Sequence, residues 1–406
     1  MRTLEDKYID LLLNRCINFE TSKSLLIYVD LNEHLEFAER VKEKANQMGI
    51  FDVSITSNDA YEIHEYLKNT DVSDIELQPC FDRSIWDEYA IKGGALLILG
   101  SALPGLMNDI SPEKIQKMVT LRNLSRPFYC RSVLQYKFPW CIAMLPNEKW
   151  AKKVFPDEAN AYEKLYLSIM KMCMIDKEDP ILAWQQHIEK NNYYRDKLND
   201  LEITRMHYKN SLGTDLYVEK PKDNIWVNID KNDYYGNMMI ANMPCYEIFT
   251  SPDYHKTNGI VYSSRPLIFN DVVINNFYIN FKDGKVIDCR AEEGEDVLRS
   301  LIFDNENADM LGEIALVSYD SPISNTGMIF YDTLFDENAS CHLALGHGFE
   351  KCFPGYENLT EEELFERGCN ITSIHEDFMI GTSDLEIEAD TKEGKVLIFK
   401  DGNFNI

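Results

Sequence analysis

Leu25-Leu26-Ile27-Tyr28-Val29 is a continuous apolar run of strand length, and a helical pattern from Asn32 to Met48 follows it directly. A strand with apolar side chains on both faces must be covered on both, as strands of a sandwiched parallel sheet are. In the stretch after it, Leu35, Phe37, Ala38, Val41 and Ala45 mark a buried helix face, and Gly49 stands where a helix C-cap favours glycine. The same texture extends outward. Leu4, Tyr8, Leu11 and Leu12 share a helical face upstream, while Val53 with Ile55, and then Ala95 to Leu99, read as further strands separated by helical stretches. This alternation predicts an open α/β layer. No Gly-x-Gly-x-x-Gly and no Gly-x-x-x-x-Gly-Lys follows any of these strands, so no glycine-rich nucleotide loop is signalled.

From Ala159 to about Leu198 the pattern stays mostly helical and ends in the charged run Glu189 to Asp200, which reads as a solvated helix face. Beyond Leu201 the chain changes to short β-rich segments and acidic loops. Phe277 to Cys289 reads as a hairpin about Asp283-Gly284, and Val396 to Phe404 as another about Asp401-Gly402. The expected architecture is an α/β N-terminal scaffold domain over 1–195, followed by an α+β, β-rich C-terminal domain over 196–406 that carries the chemistry.

Charge narrows the function classes. Across 406 residues, 41 Lys and Arg face 68 Asp and Glu, a net −27. A surface that negative repels phosphate backbones, so neither nucleic acid nor an anionic membrane is expected as a partner. The ten cysteines contain no Cys-x-x-Cys and read as reduced, mostly buried thiols. The start Met1 to Lys7 turns acidic before any apolar run, unlike a signal peptide, and no apolar stretch approaches the roughly 18 residues of a membrane span. A cytoplasmic protein is expected.

Metal-ligand residue types gather in the second half. In Ser373-Ile374-His375-Glu376-Asp377-Phe378-Met379 the flanks are β-like, so His375 and Asp377 would leave the same face of a strand. They suit a metal, or equally a structural hydrogen-bonded pair. Ala339, His342, Leu343 and Gly346 follow helical spacing, placing His342 on an inward helix face as a ligand or a satisfied core histidine. Glu247 and Glu313 adjoin apolar runs, where a buried carboxylate needs a metal, an Arg or a Lys as partner. Together these supply three carboxylates and two imidazoles, which two divalent cations and one hydroxide would neutralise. That composition suits a two-metal hydrolytic site, and mixed oxygen and nitrogen ligation fits Zn, Co or Mn better than Ca.

Several stretches, in order and spacing, resemble the thermophilic-type metallo-aminopeptidases, the aminopeptidase T and aminopeptidase S group. They run from Trp150-Ala151-Lys152-Lys153-Val154-Phe155-Pro156-Asp157 and Gly213-Thr214-Asp215-Leu216 through Glu247-Ile248-Phe249-Thr250-Ser251-Pro252-Asp253. They continue with Gly312-Glu313-Ile314-Ala315-Leu316-Val317 and Tyr319-Asp320-Ser321-Pro322-Ile323-Ser324. Leu334-Phe335-Asp336-Glu337-Asn338-Ala339-Ser340-Cys341-His342, His375-Glu376-Asp377-Phe378-Met379-Ile380-Gly381 and Asp384-Leu385 complete the set. The resemblance implies a two-domain, homodimeric enzyme that removes N-terminal residues from peptide substrates with water activated by two divalent ions. It places the metal ligands on Glu247, Glu313, His342, His375 and Asp377, with Glu313 bridging.

Two positions depart from the family pattern. Tyr246 replaces the first of two consecutive acids, and Phe349 replaces a tyrosine seven residues after His342. The missing polar chemistry could pass to His347 or Glu350 in the following loop, or to Glu376 or Glu337. Otherwise the chain is a diverged, weakly active or non-catalytic relative that binds metal and peptide.

Overall fold

The computed structural model describes residues 3–19, 22–133, 135–229, 231–232 and 238–406. They form two compact units, one of 1–185 with 230–245, the other of 186–229 with 246–406.

The first unit is built on a parallel sheet. Its strands are β1 Ser24–Val29, β2 Asp52–Ser57, β3 Ala95–Gly100 and β4 Trp140–Met144, in the order β4-β3-β1-β2, with Asn242–Met243 added beside β4. Every residue of β1 and β3 is buried, as continuous apolar runs require. The helix Leu35–Gln47 returns the chain from β1 to β2, and Gly49 follows it at φ 87°, a conformation glycine adopts without a Cβ penalty. The edge strand Asn242–Met243 comes from the middle of the chain, so the segment 230–245 rejoins a unit whose sequence pattern had ended well before it.

The second unit holds an antiparallel five-stranded sheet and a nine-stranded sheet. The smaller runs in the order His375–Met379, His342–Gly346, Leu311–Leu316, Ile248–Thr250, Val227–Asn228. The larger contains both expected hairpins, Val272–Lys282 with Lys285–Glu293 and Gly394–Lys400 with Asn403–Phe404. Their turns carry positive φ at Asp283 and Gly284 and at Asp401 and Gly402, the signature of two-residue hairpin loops. Ile248, Ile314, Leu316, Leu343, Leu345 and Phe378 of the small sheet share one core with Ile279, Phe281 and Ile387 of the large one. One face of the small sheet is therefore committed to the core. His342 begins a strand rather than lying on a helix: the Leu343-Ala344-Leu345 run is buried on both sides, and such a run carries no period that separates the two structures. The ten cysteines are thiols, and all but Cys80 and Cys130 are buried.

Candidate metal centre

Alternation along the strands of the small sheet sends the polar residues to the face away from the core. Antiparallel register places Glu313 opposite Ala344 and Ala344 opposite Asp377, so two carboxylates flank one methyl group on the middle strand. His342 lies two residues from Ala344 and His375 two from Asp377, on the same face. Glu247 precedes Ile248, which itself points into the core.

Glu313 reaches that face through an irregularity. Leu311 packs in the core, and residues two apart normally share a face, yet the register shifts between Leu311 and Glu313. This β-bulge re-aims the carboxylate. Gly312 makes it possible, because a Cβ there would collide with the carbonyl oxygens of Gly346 and His347.

The five side chains meet. Glu247, Glu313 and His342 offer ligand atoms that all lie within 4.8 Å of one another, and so do Glu313, His375 and Asp377. Glu313 belongs to both groups. His342 Nε2 lies 3.1 Å from Glu247 Oε2, and His375 Nε2 lies 3.2 Å from Glu313 Oε2 and 3.7 Å from Asp377 Oδ1. The other ring nitrogens are fixed from behind: His342 Nδ1 donates to the Glu337 carbonyl at 2.9 Å, and His375 Nδ1 donates to the His347 carbonyl at 2.7 Å. A carbonyl only accepts, so each Nδ1 carries a proton and each Nε2 is turned toward the carboxylates, where it donates when protonated and would offer its lone pair to a metal ion on losing that proton.

The donor set fits a metal. Glu313 Oε1 and Asp377 Oδ1 are buried without any hydrogen-bond partner, a costly arrangement for carboxylate oxygens unless a cation pairs them. Burial raises the pKa of Glu313, and the Asp377 and Glu247 charges add to the rise. Burial disfavours charge on His342 and His375. Nevertheless the Glu247 hydrogen bond raises His342 to about 9, and Asp377 with Glu313 raises His375 to about 10. A field that holds a proton on both imidazoles against burial is strongly negative, and it favours a divalent cation in the same way.

The positions that depart from the family pattern sit differently. Phe349 packs edge-on against the His375 ring at 4.9 Å and beside Phe249 at 4.7 Å, so it borders the centre with an apolar ring. The Tyr246 ring packs edge-on against His187 of the helix Pro180–Asp200, and its backbone N–H donates to Asn338 Oδ1 at 2.5 Å. His347 serves His375 through its carbonyl. Its own ring is kept neutral by burial, with a pKa lowered to about 4. Glu376 pairs with Leu345 in register and so faces away from His375 and Asp377. Glu350 starts a one-turn helix near Cys369. Glu337 feels the charge of three carboxylates of the centre, Asp377, Glu247 and Glu313. It is buried, and Asn338 Nδ2 donates to its Oε1 at 3.1 Å. The two orienting carbonyls and the Ala344 floor leave no trace in sequence, because backbone acceptors are common to all residues and a small residue in a strand is ordinary.

The family model for thermophilic metalloproteases (M29) matches residues 2–404. The chain belongs to the M29 metalloprotease family. As an M29 member it is a peptide hydrolase that uses divalent metal. Among its curated M29 relatives, aminopeptidase PepS of Streptococcus thermophilus is 32% identical over 99% of this chain and 98% of its own length. Aminopeptidase AmpS of Bacillus subtilis (strain 168) is 35% identical over 78% of each chain. The solved structure of wild-type AmpT from Thermus thermophilus superposes with a TM-score of 0.87 at 26% identity, covering 99% of both chains. No helix among the described residues is long and apolar enough to cross a membrane.

Proposed function

We propose that this M29 chain is a cytoplasmic, homodimeric aminopeptidase that releases N-terminal residues from peptides at a centre of two divalent ions in its C-terminal, β-rich domain. One observation carries the reading: Glu313 is common to two ligand groups that otherwise share no residue. Glu247, Glu313 and His342 would hold one ion and Glu313, His375 and Asp377 the other, with Glu313 as bridge. Carboxylate and imidazole donors suit Zn, Co or Mn. When bound, such ions polarise a peptide carbonyl and bring the pKa of a water toward about 7.

The protein supplies orientation and charge. The Glu337 and His347 carbonyls lock both imidazoles in one tautomer and rotamer. The carboxylates make a negative pocket that also attracts the α-ammonium of a peptide, the group that distinguishes an N-terminal residue from an internal one. Glu337, buried beside the ligands, is the further carboxylate available to take and return a proton. The relatives named aminopeptidase support the same reaction.

The test is hydrolysis of Leu- and Arg-p-nitroanilide by metal-reconstituted protein, beside His375→Ala, with metal content measured for both. Turnover with about two ions per chain, lost in the variant, is expected. Equal rates in the two proteins would sink the enzymatic reading, and two ions without turnover would assign the chain to metal and peptide binding alone.

A further inference from the structure

The first unit carries a cluster of cations that the metal centre does not use. Arg83 packs on Tyr28 and Trp86 beside Asp30, Arg126 packs on the same Trp86, and Arg122 lies within charge range of Arg83, Arg126 and Asp30. The Arg83 guanidinium lies 4.4 Å from the Tyr28 ring centroid and 4.6 Å from that of Trp86, and Arg126 lies 4.5 Å from the same indole. Arg83 Nη2 donates to the Tyr28 hydroxyl at 2.6 Å and stands 3.9 Å from Asp30 Oδ1. The Arg83 side chain is only 9% exposed.

Three features set this cluster apart from ordinary surface arginines. The Nε of Arg83, of Arg122 and of Arg126 is buried without a hydrogen-bond partner. Among the described residues no carboxylate pairs with Arg122 or Arg126, so three guanidinium groups face the single carboxylate Asp30 in a chain of net charge −27. Packing like charges together is unfavourable, and it persists where an anion offsets it. The burial that lowers the pKa of Arg122 and Arg126, reinforced by the neighbouring Arg83, reflects the same mutual repulsion.

The place in the fold is the third feature. Asp30 follows the last residue of β1, its N–H donates to Leu99 of β3, and its carboxylate lies beside Gly100, the last residue of β3. In the order β4-β3-β1-β2 the chain moves from β1 to one side and then crosses to the other, which makes the β1/β3 boundary the topological switch point. Ligands of open α/β sheets bind at the carboxyl ends of the strands at that boundary. No glycine-rich loop stands here, so arginines replace backbone amides as donors.

We propose that Arg83, Arg122 and Arg126 form a binding site for a phosphate group at the β1/β3 switch point, separate from the metal centre. The net charge of two left after Asp30 matches a phosphate dianion, and guanidinium forks match its oxygens. Arg122 and Arg126 are mostly buried but not fully enclosed, which leaves a path for a ligand from solvent, while Arg83 forms the floor. The guanidinium groups cover the Trp86 and Tyr28 faces, so recognition is of the phosphate and not of a stacked base.

The full chain with its metals, titrated at constant ionic strength by calorimetry with inorganic phosphate and with glycerol phosphate, tests this. Because phosphate also binds metal centres, phenylglyoxal labelling read by peptide mass maps the site. Saturating phosphate should slow labelling of Arg122 and Arg126, and R122Q and R126Q should each weaken binding about tenfold. Tighter binding of the ester assigns the site to a phosphomonoester, and tighter binding of the free ion to phosphate itself. Absence of binding at millimolar concentration, or binding that neither protects these arginines nor weakens in R122Q and R126Q variants with wild-type circular dichroism, would overturn the proposal.

Discussion

At the residue scale the centre depends on which groups hold metal and which move protons. Glu337 is buried beside the ligands with one oxygen held by Asn338, and substitution separates its two possible contributions. Glu337→Gln is expected to keep about two ions per chain and to lose about 10²–10⁴ in kcat, the range for a general acid–base group. A fall in bound metal with it would make Glu337 a ligand instead. A second residue, in the first unit, sets an acid limit. His34 is buried, its Nε2 makes no hydrogen bond, and burial lowers its pKa to about 4. In the unfolded chain a histidine titrates near 6.5, so as pH falls from there toward 4 the unfolded state takes up the proton first and stability declines. That decline amounts to about 1.4 kcal/mol per pH unit for one proton. Urea midpoints measured at pH 7 and pH 5 should converge in His34→Gln relative to the parent. An unchanged difference would remove His34 as a source of acid lability. Of the residues at the centre, the five ligand candidates were legible because imidazole and carboxylate types stand out beside apolar runs. Ala344 was not legible, since its part is to be small between Glu313 and Asp377.

At the scale of elements, the small sheet works because period-two alternation sorts core from site, and one bulge corrects the exception. Leu311 and Glu313 would share a face in a regular strand, and the extra residue Gly312 separates them. A Cβ at Gly312 meets backbone oxygens of Gly346 and His347, which no rotamer change can move aside. The His347 carbonyl is also the acceptor that orients His375. Gly312→Ala should therefore reach the centre from behind. We expect metal affinity to fall about 10–100-fold, as when a partner orienting a ligand is lost. Metal titration checks this, and near-parental affinity would show that the bulge absorbs the methyl group. This element also shows where sequence patterns mislead. The run around His342 has helical spacing in the sequence, whereas burial on both faces and pairing to strands on either side make it a central strand. Strand partners far apart in sequence decide such a case, and local spacing does not contain them.

For the whole molecule, metal is expected to be part of stability as well as of activity. The candidate ligands come from four separated segments around 247, 313, 342 and 375–377, so ions that bound only the folded state would stabilise the second unit by mass action. Chelation should lower the thermal midpoint and abolish hydrolysis together, and Zn, Co or Mn should restore both; a midpoint indifferent to chelator would mean that the folded unit needs no metal. The net charge of −27 takes on a different meaning at this scale. It is mostly surface acidity, but three of the carboxylates converge on one buried face, and the first unit concentrates arginines at the end of its parallel sheet. Sequence by itself determined the α/β texture of the first half, the β-rich second half, the hairpin turns and the residue types of the centre, because burial periodicity, glycine turns and metal chemistry are local properties. Only the tertiary structure decided that the five residues share one sheet face, that Gly312 turns Glu313 toward it, and that 230–245 returns to the first unit. Those outcomes depend on register and pairing between segments distant in the chain, which are fixed by packing of the folded core and not by any single segment.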